Sequence, residues 1–358
     1  MTRWTIPSCL LLALPAVLPA QQPERYTLDD HHAAVYNLVG TLRVEPGEGP
    51  VAVQVTRGGS DAAKLQIGHG DIDGRSTLRV IYPGDRIRSG SMRQGGSTQL
   101  RVRDDGTFGD HDEYDHGHMS RHRWEEGRRV TIADGADGLD ARADLVVRVP
   151  KGGRVAVYLA VGAVTVANVD GELSVDAHSA PVTASGTRGT LSVDVGSGEV
   201  RISQAQGDVD VDTGSGAVEV TGFRGSVLSV DTGSGDVTGS DLETGELSVD
   251  TGSGDIRLTT ITSPRVSLET GSGSVTADLR RDIASLAVET GSGDIAIRAP
   301  ASLGAAVEIE TSSGDIETDF PLQVTRHSRD HMVGTIGDGK GTIAIETGSG
   351  GIKLLKAN

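Results

Sequence analysis

The sequence predicts an all-β protein built as a β-solenoid, in which parallel strands stack rung upon rung. Three observations predict this fold. A ten-residue phrase, LSVDTGSGDV at Leu228 and LSVDTGSGDI at Leu247, recurs through the second half of the chain. Apolar and polar residues alternate within each copy, which is the period of a half-buried strand. Glycines follow each alternating run, and glycine permits the sharp turn that a stacked corner needs.

The copies recur at a nearly fixed period. From Leu173 to Val307 their first residues stand 18, 18, 19, 19, 19, 20 and 21 residues apart, and a last copy follows 36 residues later at Ile343. The copy at Leu173 is a worn one, LSVDAHSAPV, and VAVYLAVGAV from Val155 fits a still more degenerate copy. One such unit cannot bury its apolar face alone, so neighbouring copies are expected to stack. We predict roughly nine rungs of about 19 residues, each with two short strands, in a rod about 43 Å long.

The same phrase also fits an array of antiparallel hairpins with glycine-rich loops. That arrangement would place Asp231 across from Asp236, and like charges directly opposite one another are unfavourable. Stacked rungs also bring like charges together, so this argument favours the solenoid without excluding the hairpins.

The beginning of the chain is typical of a secretory signal peptide, residues 1–20. Arg3 supplies a positive start, and the uncharged apolar run from Ile6 to Leu18 is too short to span a bilayer. The single cysteine, Cys9, lies inside this segment. We therefore expect an exported mature chain without disulfides.

The mature chain is expected to have two parts. Residues 21–140 predict a β-rich region with polar loops rich in His and Arg, which caps the first rung because a bare apolar end would aggregate. Residues 141–358 predict the repeat solenoid. No later stretch is long and apolar enough to form a transmembrane span.

Composition restricts the function. The chain carries 33 Lys and Arg against 50 Asp and Glu, a net charge of −17, which argues against a nucleic-acid partner. Aromatic residues make up 3%, and the repeat corners carry none to stack on sugars. No Ser–His–Asp arrangement, phosphate loop or nucleotide fingerprint is present. We expect a protein that is not an enzyme.

The repeated L-x-V-x-T-G-S-G-D-[VI], the glycine-rich corners and the closing E-T-G-S-G-G-I-K-L resemble the bacterial β-strand-repeat adhesins, a domain of unknown function. The resemblance covers about Ala141 to Leu354. It implies an exported, all-β, non-enzymatic protein of the cell envelope, and it brings no catalytic residues. We expect an adhesin or binding scaffold in the periplasm, at the cell surface or secreted, with an unknown envelope or extracellular partner. The alternatives are a carbohydrate-active β-helix enzyme and an envelope sensor of a peptide or lipid.

Stacking in register would align the acidic residues in two columns. The first holds Asp194, Asp212, Asp231, Asp250, Glu269, Glu289, Glu310 and Glu346; the second holds Glu199, Asp236, Asp255, Asp294 and Asp315. Solvation, hydrogen bonds to the corner amides or bound Ca²⁺ would each relieve the repulsion. We favour a solvated, hydrogen-bonded ladder, and we name Asp212, Asp231 and Asp250 as candidate Ca²⁺ ligands.

Asp212, Asp231 and Asp250 also precede Thr-Gly-Ser, as in aspartic proteases, but an exposed row is not the closed cleft that such an enzyme needs.

A polar loop in the N-terminal region gathers four histidines among acids. His111, His116, His118 and His122 are candidate Zn²⁺ ligands, although their spacing is irregular and a solvated loop without metal is the simpler interpretation. The arginines between Arg75 and Arg103 suit either an anionic glycan or lipid head group, or solvation of a sheet's outer face and pairing with local acids.

Overall fold

The computed structural model describes residues 22–28, 32–92, 95–109, 127–135 and 137–357. This part of the chain is all-β apart from one 3-10 turn at Ala62–Lys64. Within it, no helix has the length and apolar character to cross a membrane.

The strands before the repeats are β1 (Glu24–Leu28), β2 (His32–Pro46), β3 (Val51–Gly58), β4 (Gln66–Ile72), β5 (Arg75–Ile81), β6 (Arg86–Arg88), β7 (Ser97–Val102), β8 (Arg128–Ala133) and β9 (Arg142–Val149). The repeats then give β10 (Gly153–Ala167), β11 (Asp170–Ser179), β12 (Val182–Ser185), β13 (Arg188–Ser197), β14 (Val200–Ser203), β15 (Gln206–Ser215), β16 (Val218–Thr232), β17 (Val237–Thr251), β18 (Ile256–Thr262) and β19 (Arg265–Thr270). The last strands are β20 (Val275–Leu279), β21 (Ser285–Thr290), β22 (Ile295–Ala299), β23 (Ala305–Thr311), β24 (Ile316–Thr318), β25 (Leu322–His327), β26 (His331–Ile336), β27 (Gly341–Thr347) and β28 (Ile352–Lys356).

Successive copies of the phrase pair in parallel and in register. Leu228 lies beside Leu247, which lies beside Val266. The most degenerate copy takes part too, since Val155 lies beside Leu173. The predicted all-β class and the stacking of the copies are therefore confirmed, and the alternative of antiparallel hairpins is wrong for the repeats.

The alternation of each phrase decides what lies inside the stack. Leu247 and Val249 are buried, Ser248 is half-buried, and Asp250 is exposed. The glycine corner follows because the rungs approach closely there: a Cβ on Gly254 would lie 2.1 Å from the carbonyl oxygen of Gly235 in the preceding rung. Only glycine fits such a contact.

A column of buried threonines lines the inner side of the glycine corners. Its members are Thr213, Thr232, Thr251, Thr270, Thr290, Thr347 and Thr311, each at most 1% exposed. Most of these hydroxyls donate to a corner carbonyl of the rung before, for example Thr270 Oγ1 to Gly254 O at 3.0 Å and Thr290 Oγ1 to Gly273 O at 2.9 Å. The hydroxyls of Thr213 and Thr232 have no partner within the described residues. The column is therefore a hydrogen-bond ladder that is incomplete at these two rungs.

The predicted rung of two short strands needs correction. After the phrase and the strand that follows it, a third segment also pairs between rungs, as Phe223 does with Leu242. A residue in the left-handed region separates the second segment from the third, with φ of 55° at Asp241 and 54° at Gln204. Asn, Asp and Gly tolerate this conformation best. Each of these rungs therefore has three strand segments rather than two.

The order of the copies at the end of the stack also departs from expectation. β27, the last copy, pairs with β21 on one side and with β23 on the other. β28 likewise lies between β22 and β24. The copy at Val307 is therefore separated from the copy at Leu286 by the last copy of the phrase, on β27. The outer edge of β23 is covered by antiparallel β26, which pairs in turn with β25.

At the other end, β2 covers the first rung. β2 runs parallel to β10 over its length, and it also pairs with β5 and β9. A separate sheet of β6, β8 and β7 lies near the outer face of the first rungs, where Thr98 Oγ1 is 2.9 Å from His178 Nε2. Tyr36 stacks on Tyr158 with ring centroids 4.3 Å apart, and both side chains are buried. The division at residue 140 stays a prediction, whereas the pairing of β2 with β10 is part of the structure.

Candidate functional site

The outer acidic column is the first predicted feature that the structure assembles. It runs through Asp176, Asp194, Asp212, Asp231, Asp250, Glu269, Glu289, Glu346 and Glu310, each aligned with the next on neighbouring parallel strands. The column expected from the sequence is present, although Glu346 comes before Glu310 in the stack because β27 lies between β21 and β23.

Neighbouring carboxylates in the outer acidic column perturb one another. Partial burial and the charge of Asp231 raise the pKa of Asp212 and also that of Asp250. The charge of Asp250, together with partial burial, raises the pKa of Glu269. Asp212, Asp250 and Glu269 are thus harder to ionise than free carboxyl groups, because burial and neighbouring negative charge both disfavour their charged forms.

The second predicted column lies at the glycine corners and holds Glu199, Asp236, Asp255, Asp294 and Asp315. This corner acidic column is different, because three of its carboxylates accept backbone hydrogen bonds from the next rung. Asp236 Oδ1 accepts from the Asp255 amide at 2.9 Å, and Asp255 Oδ1 accepts from the Ser274 amide at 2.7 Å. The Ser274 amide and Arg257 lower the pKa of Asp255. Asp294 Oδ1 accepts from the Gly351 amide at 2.8 Å. Hydrogen bonding to corner amides, one of the three reliefs considered from the sequence, therefore operates in this column.

The predicted metal ligands remain predictions. Among the residues that the structure describes, no group of three or more His, Asp or Glu side chains is arranged to hold a metal ion. Asp212, Asp231 and Asp250 lie in one exposed row on adjacent strands. The candidate Zn²⁺ ligands His111, His116, His118 and His122 lie outside the described residues.

The N-terminal arginines take local partners. Arg75 Nη1 donates to the Tyr158 hydroxyl at 3.4 Å, and Arg103 Nη1 donates to Thr107 Oγ1 at 3.2 Å. Arg79 Nη1 donates to the carbonyl of Asp105 at 3.4 Å. These contacts are local, but they are to two hydroxyls and a backbone carbonyl and not to the carboxylates that the sequence led us to expect.

A groove that the sequence did not reveal runs across the rungs beside the left-handed corners. We call it the polar groove. It consists of two depressions of about 400 and 520 Å³ that share Arg224. The walls of the first include Asn168, Arg188, Gln204, Gln206 and Asp241; those of the second include Glu243, Thr262, Ser263, Arg281 and Asp282.

Two glycines shape the first depression. The left-handed corner residues follow one another up the stack as Asn168, Gly186, Gln204, Gly222 and Asp241. Gly186 and Gly222 have φ of 64° and 69°, and they lack the side chains that their neighbours in this row carry. Gly222 leaves a notch between Gln204 and Asp241, whereas the Asn168 side chain lies over Gly186, where a Cβ would be 2.5 Å from Asn168 Oδ1. The signal in the sequence is the recurrence of Asn, Gly and Asp every 18 or 19 residues outside the main phrase.

The groove wall carries one more row of side chains in register. Arg188 lies beside Gln206, Gln206 beside Arg224, Arg224 beside Glu243 and Glu243 beside Thr262. Arg224 Nε lies 3.3 Å from Glu243 Oε2, and Arg224 Nη2 lies 3.8 Å from Asp241 Oδ2. Arg188 and Arg281 form no ion pair with any described residue. In the centre of the groove one arginine therefore faces two acids, which leaves that stretch without net positive charge, and an unpaired arginine lies towards each end.

The fold and its surface define a class: a repeat-built β protein whose stacked parallel strands present rows of polar side chains. The chain belongs to the Toastrack DUF4097 family, whose family model matches residues 131–355. This membership confirms the resemblance to a bacterial repeat family of unknown function.

Two solved structures are similar to this chain. One is described as a putative cell adhesion protein from Clostridium sporogenes, with 11% identity over 94% of this chain and 99% of that one, at a TM-score of 0.19. The other is described as a putative adhesin from Parabacteroides distasonis, with 11% identity over 94% and 96% of the two chains, at a TM-score of 0.32. No curated protein matches the chain. At these TM-scores neither likeness carries an argument about function.

Proposed function

We propose that this is an exported, non-enzymatic protein of the cell envelope, an adhesin or structural scaffold that binds a partner along a rigid, repetitive β-solenoid surface. The observation that carries the proposal is the in-register repetition of outward-facing side chains, such as Asp231 beside Asp250 beside Glu269. Rungs about 4.8 Å apart present the same chemistry many times, so a partner with its own repeat can engage several rungs at once.

The arrangement of the acidic residues supports a binding role over a catalytic one. A pair of catalytic carboxylates needs a site that excludes water and sets their pKa values apart. The outer acidic column instead forms an open row, and neither depression of the polar groove is lined by Asp212, Asp231 or Asp250. The part of the proposal that concerns export rests on the sequence of residues 1–20.

Cell fractionation tests the location. A tagged full-length chain should lose residues 1–20 and appear in the envelope fraction or the medium, and deletion of those residues should retain it in the cytoplasm. An uncleaved full-length chain that stays in the cytoplasm would refute export.

A pull-down tests the binding role. Purified residues 21–358 should retain a defined envelope component, and the same chain unfolded by heat serves as the control. Equal retention by folded and unfolded protein would contradict binding through the ordered surface.

A further inference from the structure

We propose that the polar groove binds an extended, carboxylate-bearing polysaccharide. This inference rests on the proposed binding function and names the chemistry of the partner. The groove crosses successive rungs at right angles to the strands, from the rung of Asn168 to that of Arg281. Its length, about six rung spacings or roughly 29 Å, suits a polymer rather than a small molecule.

The arginines at the two ends indicate negative groups on the ligand. Several other exposed arginines of the repeats pair with an acid on a neighbouring rung, as Arg154 does with Glu172, Arg201 with Glu219 and Arg265 with Glu246. Arg188 has no such partner: the acid in register with it, Asp170, pairs instead with Lys151 at 3.1 Å. Arg281 is also exposed and unpaired within the described residues. A guanidinium can hold a carboxylate through two parallel hydrogen bonds.

The middle of the groove matches hydroxyl groups. Between the two unpaired arginines, its exposed side chains include Gln204, Gln206, Asp241 and Glu243, which offer both donors and acceptors. Arg224 is neutralised by its two acidic neighbours, so this stretch adds no net positive charge. A sugar chain supplies closely spaced hydroxyls that pair with such groups.

Two other polymers fit less well. An extended peptide binds a β protein by adding a strand to a free edge, but the rung backbones along the groove are already paired on both sides. A nucleic acid carries a charge on every unit, and a chain with a net charge of −17 and only two unpaired arginines in its groove would repel it. A polysaccharide with carboxylates at intervals can place them at the two arginines and its hydroxyls along the centre.

The spacing of the end arginines makes the inference quantitative. Arg188 and Arg281 lie five rungs apart, which is about 24 Å. A chain that reaches both gains the second contact at high effective concentration, whereas a shorter fragment engages one end only. Affinity should therefore rise with chain length until the ligand spans both arginines.

Affinity electrophoresis in gels containing partly methyl-esterified polygalacturonate, whose free carboxylates stand at intervals, tests this directly, with the fully methyl-esterified polymer as the uncharged counterpart. The wild-type chain should be retarded by the partly esterified polymer and not by the fully esterified one. Arg188→Gln and Arg281→Gln should each weaken binding roughly tenfold, as expected for loss of one charge-assisted contact. Arg298→Gln is the matched control, because Arg298 is also exposed and unpaired within the described residues but lies away from the groove.

Three results would overturn the inference: no retardation by the partly esterified polymer, equal retardation by the fully esterified polymer, or equal loss in the Arg298→Gln variant. Size-graded, partly esterified oligogalacturonates provide the second measurement, and an affinity independent of length would contradict the two-ended site. The envelope pull-down is scored separately. Retention of an envelope component without polyuronate binding refutes this inference alone, whereas failure of that pull-down refutes the proposed function.

Discussion

The position of β27 between β21 and β23 predicts which pair of engineered cysteines can be joined. Ala287 on β21 lies directly beside Ala344 on β27, and both side chains are exposed. Glu308 on β23 lies on the far side of Ala344. If the copies stacked in chain order, Glu308 would instead be the neighbour of Ala287. The variants Ala287→Cys/Ala344→Cys and Ala287→Cys/Glu308→Cys therefore distinguish the two orders.

The distances separate the two variants clearly. Adjacent strands place Cα atoms about 4.8 Å apart, within the range that a disulfide tolerates, whereas residues two strands apart are separated by about 9.6 Å and cannot be joined. The adjacent pair would close a loop of about 57 residues, for which loop-closure entropy predicts up to about 4 kcal/mol of stabilisation. Strain in the bond would lower that figure, because the Cβ atoms of neighbouring strands must approach by about 1 Å.

The assay is mild oxidation of a chain that begins at Gln21, so that Cys9 is absent, followed by non-reducing electrophoresis and denaturation in urea. Ala287→Cys/Ala344→Cys should form an intramolecular disulfide and unfold at higher urea concentration than its reduced form. Ala287→Cys/Glu308→Cys should stay reduced and monomeric. A disulfide in the second variant and none in the first would show that the copies stack in chain order and would refute the topology.

Four further predictions follow from the same structure. Thr270→Val should lower the free energy of unfolding, measured in urea, by about 1 kcal/mol because it removes a buried hydrogen bond. Thr232→Val should be neutral or stabilising, since that hydroxyl has no described partner. Equal losses of stability in the two variants would contradict the incomplete threonine ladder. Asp231→Asn should stabilise the protein at about pH 7 and lose this gain as the pH falls through the raised pKa values of the flanking aspartates, because the repulsion disappears once they bind protons. The control variant Asp236→Asn should destabilise the protein, because the Asp236 carboxylate accepts a backbone hydrogen bond and lies near an arginine. If urea denaturation showed Asp236→Asn to be the more stable of the two variants, the distinction between the columns would be refuted. Deletion of residues 21–140 should expose the edge of β10 and cause aggregation in size-exclusion chromatography, whereas a monodisperse product would show that no cap is needed. If the outer acidic column binds Ca²⁺, millimolar Ca²⁺ should raise Tm relative to EDTA, and an unchanged Tm would remove that hypothesis.

The sequence was sufficient for the stacking but not for the order of the last copies. Alternating residues such as Leu247 and Val249, followed by a glycine corner, admit few arrangements other than parallel rungs, and the structure has that arrangement. The phrases at Val307 and Ile343 are nearly interchangeable, so local pattern gives no reason for either to lie next to Leu286. The order of these last copies in the stack follows from how the edges of their strands are covered. β23 is covered on its outer side by antiparallel β26, whereas β27 pairs with a parallel strand on each side. The gap of 36 residues before Ile343 was the visible trace of this topology.

The candidate surfaces likewise differ in whether the sequence could predict them. The two acidic columns were predictable because they belong to the repeated phrase, and their register follows from its period. The polar groove was not, because Arg188, Gln206 and Arg224 occupy the variable segment between phrases, where only the left-handed corner recurs. Side chains there differ from rung to rung, so their combined chemistry becomes visible only when the register is known.

The two acidic columns also differ in how the fold accommodates their charge. Stacking identical phrases forces like residues into contact, and for threonine or a corner aspartate this is favourable because each can bond to the backbone of a neighbouring rung. The outer acidic column has no such general relief: the pKa values of Asp212, Asp250 and Glu269 are raised. Serine or threonine at these positions would stack without repulsion and keep the strands intact. Residues that act against stability in an otherwise consistent sequence are expected where a surface has a function. The stabilisation expected for Asp231→Asn thus measures the free energy of unfolding that the acidic face costs the chain. Envelope binding by that variant would show whether the acidic face takes part in binding the partner.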